Sequence, residues 1–167
     1  MLFNLLNKVD KVVSFNRVAA HCDVPCGIYD PMVAQIAALT VIREVDQLNE
    51  IADKVDTSIN DHANFGRMVA VKEEHVAKVK EEIRIIWGDF IKQPQLDEYP
   101  ELHSLVHSIM LAGSKAKQHV DKAAALDLLD KVNRFAEIFW AIKGVDTYRA
   151  VCPYAPAAEV VYPDLKG

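Results

Sequence analysis

Between Asp30-Pro31 and Gly144 the apolar residues return every three or four positions, and that spacing limits this chain to packed helices more firmly than any other property. Asp30-Pro31 reads as a start, with Asp as cap and Pro in the first turn. Val33, Ile36, Val41, Val45, Leu48, Ala52 and Val55 then form a stripe to about residue 57. Thr57-Ser58-Ile59-Asn60-Asp61 interrupts it. A second stripe holds Phe65, Met68, Val76, Val79, Ile83, Ile86, Trp87 and Phe90, with Pro94 as its end. Pro100 opens a third, shorter run through Leu102, Leu105, Val106 and Ile109, stopping near Gly113. A fourth spans about His119 to Lys143, with Leu128, Leu129, Val132, Phe135, Phe139 and Ile142 inside and Gly144 as its stop. Short connections and few strand signals predict an all-α fold, an antiparallel four-helix bundle over residues 32–143.

The chain has 167 residues, enough for one domain with a real core. A hydrophobic content of 51% with 26% charged residues is ordinary for a globular protein. A net charge of −5 argues against nucleic acid as the main partner. No run is long and apolar enough to cross a membrane. Three cysteines do not make a disulfide scaffold, so a reducing, cytoplasmic compartment is the expectation.

Two of those cysteines lie in the most informative stretch, His21-Cys22-Asp23-Val24-Pro25-Cys26-Gly27-Ile28-Tyr29-Asp30-Pro31. Suppose His21 is the first residue. Its free amine and the Cys22 amide nitrogen close a five-membered ring around a metal. That nitrogen and the Cys22 thiolate close another. The imidazole can return as an axial ligand, and Cys26 can bring a second thiolate. A planar set of two nitrogens and two sulfurs suits Ni(II) or Cu(II), and the thiolates favour softer metals. Anionic donors also stabilise a higher oxidation state, so a Ni(II)/Ni(III) cycle is open to such a site. A bare Cys-x-x-x-Cys also admits a disulfide or two buried thiols.

The eleven-residue stretch resembles the hook of nickel superoxide dismutases nearly residue for residue. Trp87-Gly88-Asp89-Phe90-Ile91-Lys92-Gln93-Pro94, Glu98-Tyr99-Pro100-Glu101-Leu102-His103 and Ile138-Phe139-Trp140 resemble later parts of the same family. The resemblance implies nickel as cofactor and superoxide as substrate. It implies His21, Cys22 and Cys26 as metal ligands, with His21 also serving catalysis through its axial imidazole. It further implies Tyr29 over the open face as the residue ordering substrate or water, and Pro25 as a cis proline. Gly27 permits the turn after the second thiolate. The resemblance also implies a homohexamer, with Lys92 near the hook, and a peptidase that cuts before His21.

Residues 1–20 are then a propeptide. Leu2, Leu5, Leu6, Val9, Val12, Val13 and Phe15 give it amphipathic helical character, and interrupting polar residues argue against a secretory signal. The resulting organisation is propeptide 1–20, hook 21–31, bundle 32–143 and an irregular C-terminal extension 144–167, where Pro153, Pro156 and Pro163 disfavour helix. Three positions depart from the family pattern. Ala37 replaces a Glu that helps hold the axial imidazole, His75 falls near that Glu's Arg partner, and Phe90 replaces a Tyr. Tyr99 is a candidate for the lost hydroxyl. The rival reading is a non-catalytic bundle that binds nickel or zinc for storage or sensing. His103 and His107 lie one turn apart but lack a third ligand. Cys152 is either an inert buried thiol or a donor brought to the hook by the tail.

Overall fold

The computed structural model describes residues 27–165. The propeptide and the ligands His21, Cys22 and Cys26 lie outside the described residues. Among the described residues five α-helices carry the fold: α1 (Met32–Ala52), α2 (Ile59–Ile85), α3 (Gln93–Glu98), α4 (Leu102–Gln118) and α5 (Lys122–Ile142). Helix α1 packs against α2 and α5, α2 against α4, and α4 against α5. Phe135, Ile138 and Phe139 of α5 meet Val41, Ile42 and Val45 of α1, Val76, Val79 and Ile83 of α2, and Ile109 of α4 in one apolar core. Burying each such side chain contributes about 1.5–3 kcal/mol before chain entropy is counted.

Each helix end has a local cause. The Asp30 carboxylate accepts from the Met32 amide at 2.8 Å, so Asp30 does cap, while Pro31 stands at the cap position rather than inside the first turn. The segment expected only to break the first helix is the start signal of the second. Ser58 Oγ accepts from the Asp61 amide at 3.2 Å, and the Asp61 carboxylate accepts from the Ser58 amide at 2.9 Å, a reciprocal capping box. After α5 the chain reverses at Gly144, whose φ is +72°. The Val145 amide donates to Trp140 O and the Gly144 amide to Ala141 O, both at 2.9 Å, closing a Schellman motif.

The Lys54 ammonium donates to Asp61, and with the Ser58 hydroxyl and amide it holds the Asp61 carboxyl below the ordinary value of 3.8. A depressed carboxylate contributes stability above the unfolded value, and loses it as pH falls through the folded one. In urea titrations, Asp61→Asn should therefore trail the native chain at pH 7. The gap should narrow steadily below about pH 3.8, as the native cap is protonated.

Several expectations are corrected. Gly113 does not stop the third long helix but lies inside α4, which runs to Gln118. A Cβ there would sit 2.8 Å from Lys80 Cε and 3.4 Å from Val76 Cγ1, so glycine lets α4 approach α2 closely. Pro94 does not end α2; it occupies the first turn of α3. Helix α2 ends earlier, in a wide turn over Ile86–Phe90 where the Ile91 amide reaches back five residues to Ile86 O at 3.2 Å. Val33, Ile36, Val55 and Phe65, assigned to inward stripes, are exposed. The inward face of α1 is Ala34, Ala37, Ala38, Val41, Ile42, Val45 and Leu48. Its first three turns carry no charge and only two polar residues, Gln35 and Thr40, so spacing alone could not select the face.

The C-terminal extension is not irregular. Strands β1 (Thr147–Val151) and β2 (Glu159–Pro163) pair antiparallel, with Tyr148 opposite Tyr162. Two buried amides fasten this hairpin to the helices. Gln35 Nε2 donates to Val161 O at 2.8 Å and to Asn133 Oδ1 at 3.2 Å. Asn133 Nδ2 donates to Glu159 O at 3.0 Å, and its oxygen also accepts from the Val161 amide at 3.2 Å. Outside, Arg149 bridges Asp130, Glu137 and Glu159.

Candidate metal centre

The described chain begins at Gly27 with φ +70°, in the left-handed region that glycine tolerates. Tyr29 follows, half-buried, and its ring meets Phe90 at 5.6 Å between centroids, tilted by 40°. Phe90 continues to Phe139 at 5.1 Å, and Phe139 to Trp140 at 5.1 Å edge-on. The wide turn Ile86–Phe90 and the last turns of α5 thus build an aromatic floor beneath Tyr29. Phe90 gives Tyr29 a ring and no hydroxyl.

One residue at this floor escaped the sequence reading. Lys143, at the C-terminal cap of α5, holds its ammonium 4.5 Å from the centroid of Phe90 and 5.9 Å from that of Phe139. The helix dipole also favours a cation there. The available signal was a Lys directly before the stopping Gly144. Asp30 and Glu82 line the hollow of about 150 Å³ on the other side of Tyr29. Lys143 is therefore a cation one ring away from Tyr29 on a chain that is acidic overall.

The remaining candidates separate from this place. Ala37 is a core residue of α1, 1% exposed. His75 Nδ1 pairs with Val71 O at 2.8 Å on its own helix. Tyr99 stands beside Glu98, with Glu101 and Arg134 acting on it, and burial first, then Glu98, pushes its phenol up. Lys92 is exposed at the N-terminal cap of α3, its amide donating to Gln95 Oε1 at 3.0 Å. His103 accepts from Trp87 Nε1 at 3.2 Å. Cys152 is buried, and its Sγ lies 3.2 Å from Tyr154 O, which its thiol proton can reach.

Among the described residues no group of three His, Cys, Asp or Glu side chains could hold a metal. The donor set expected for nickel lies in residues 21–26, outside the described residues. Its chemistry would fit: with His21 as the first residue, one amine, one amide nitrogen, one imidazole and two thiolates fall within six residues.

Comparison with known proteins places the chain in a family. A family model described as nickel-containing superoxide dismutase matches residues 16–143. The chain is 36% identical over 128 residues to the nickel superoxide dismutase of Streptomyces seoulensis, covering 76% of this chain and 91% of the relative. It is 35% identical over 127 residues to that of Streptomyces coelicolor, covering 75% and 90%. A native nickel superoxide dismutase structure superposes with a TM-score of 0.62 at 34% identity, covering 74% of this chain and 99% of the other. An apo structure gives 0.63 at 30% identity, covering 71% and 99%. The hairpin beyond residue 143 lies outside the family match. From residue 16 through the end of α5, this chain belongs to the nickel-containing superoxide dismutase family.

Proposed function

We propose that the chain disproportionates superoxide: two superoxide ions and two protons give oxygen and hydrogen peroxide. The observation that carries this reading is a family match through residue 143 on a chain that keeps every sulfur and nitrogen donor of the hook. Nickel, when bound, supplies a one-electron redox centre with a potential between those of the two superoxide half-reactions. The chain's own residues do the rest. Cutting before His21 frees the amine that, with the Cys22 amide nitrogen and the thiolates of Cys22 and Cys26, forms the holding set. The His21 imidazole would supply a further donor. Tyr29 orders the incoming anion or a water, braced from behind by Phe90. With Ala37 in the core, no family Glu holds the imidazole, so a backbone carbonyl or another side chain does so.

The ring of contacts from α1 to α2, α4, α5 and back to α1 supports an antiparallel four-helix bundle. The finer organisation follows the family: leader 1–20, hook 21–31, helices 32–143, extension 144–167. A homohexamer, a processing peptidase and a cytoplasmic setting belong to the same reading. No helix among the described residues is long and apolar enough to cross a membrane.

The decisive experiment starts the chain at His21, loads it with nickel, and follows superoxide decay together with the rhombic paramagnetic signal of Ni(III). A rate above free-nickel controls accompanied by that signal is the expected result. Tight nickel retention with no rate above those controls would reduce the protein to a metal-binding relative.

Lys143 gives a second check. Lys143→Glu places an anion over Phe90 and should slow the second-order reaction with superoxide by roughly tenfold at low ionic strength. The loss should shrink as salt screens it, and Lys143→Arg should keep most of the rate. A salt-independent loss would assign Lys143 a packing role only.

A further inference from the structure

Helix α1 carries no charged residue from Met32 to Ile42, a composition suited to a helix covered on all sides. Yet one edge is bare. Ile28 is 76% exposed, Met32 40%, Val33 38% and Ile36 51%. These side chains form one apolar strip that runs from the point where the described chain begins toward the middle of α1. Two hollows flank it: one of about 150 Å³ beside Ile28 and Val33, one of about 400 Å³ between Ile36, Leu39 and Tyr154.

We propose that the leader, residues 1–20, covers this strip while it remains attached, and that its removal uncovers the strip. Three observations favour this occupant. Its attachment point is right, because the chain enters the described fold at Gly27, at the end of the strip. Its pattern is right, because Leu2, Leu5, Leu6, Val9, Val12, Val13 and Phe15 supply an apolar face of helical spacing. Twenty helical residues would reach about 30 Å, and the six residues 21–26 can span about 20 Å, enough to turn the leader back along α1. Its charge suits the first hollow: Lys8, Lys11 and Arg17 against a single Asp10 make the leader basic, and Asp30 and Glu82 stand at that rim, while Arg43 lines the second hollow. The leader then withholds the hook's amine and shields an adhesive surface, so a single cut releases both. That consequence rests on the processing reading above, whereas the covering itself does not.

The test uses the uncut chain, residues 1–167, carrying p-benzoylphenylalanine at exposed position 36, under conditions where light scattering shows a monomer. Irradiation should link position 36 to a peptide within residues 1–20. The same probe at Leu126, exposed on α5, should give no such link. Replacing Leu5, Val9 and Val12 together by Asp should cut the yield at position 36 at least about tenfold while leaving helix content unchanged. A link to a second copy, a link elsewhere in the chain, no link, or equal linking from both positions would overturn the proposal. Because the uncut chain is probed directly, a failure of processing in cells leaves this result standing, and a failed cross-link leaves the catalytic reading standing.

Discussion

Cys22→Ser and Cys26→Ser, singly or together, are expected to reduce superoxide removal to the free-nickel background and to abolish nickel retention through dialysis. A serine hydroxyl does not ionise at neutral pH and is a hard donor, so neither substitution can supply an anionic sulfur to a planar site. Helix content and the urea midpoint should not change, because both residues precede α1 and none of the described core depends on them. Cys152→Ser is the matched control. Its sulfur is buried under the hairpin near Tyr154 O and its loss should leave nickel binding intact, at a small cost in stability. Should a Cys22 or Cys26 variant retain stoichiometric nickel and full rate, the hook is not the metal site. Should Cys152→Ser lose nickel, the tail contributes a ligand after all.

The helices and the hook were read from different signals. Long-period apolar spacing identified the four long helices, and Gly144 marked the end of α5 because a left-handed residue there leaves a local signature. The hook reading rests on local chemistry, because every expected donor sits within six consecutive residues, all outside the described ones. What was not legible depends on contacts across the fold. Gly113 looks like a helix stop until Lys80 and Val76 are seen to need its missing side chain. The hairpin holds three prolines, two in its loop and one at the end of β2, and lacks strong alternation, and its anchors, Gln35 and Asn133, lie 98 residues apart on different helices. Lys143 gained its place over Phe90 only when the wide turn after α2 swung that ring toward α5. The apolar first turns of α1 are the reverse case. There apolar residues stand on several sides of the helix, so spacing named no inward face, and Ile28, Met32, Val33 and Ile36 are left exposed.

Lys72 should prove the most consequential single side chain for stability, although it lies far from any chemistry in the sequence. It is 2% exposed, and its ammonium donates to three carbonyls at the end of α4: Ala116 O at 2.8 Å, Lys117 O at 2.7 Å and His119 O at 3.1 Å. A helix end leaves its last carbonyls without intrahelical donors, and the dipole places partial negative charge there. Lys72 meets both needs from the neighbouring helix α2, so it ties the turn between α4 and α5 to the bundle. Burial pushes its pKa down, which measures the desolvation that the three carbonyls offset. Lys72→Met keeps most of the stem and removes every donor, so the packing loss is small and the orphaned carbonyls dominate. The expected loss is about 3 kcal/mol, read as a lower urea midpoint at unchanged slope. Amide exchange should accelerate first around residues 116–121, where the carbonyls lose their partner. Lys72→Arg should not rescue it, because a planar fork cannot aim three bonds from one point in so closed a space. A Met variant within about 0.5 kcal/mol of the native chain would mean that water takes over the three carbonyls, and that Lys72 is replaceable.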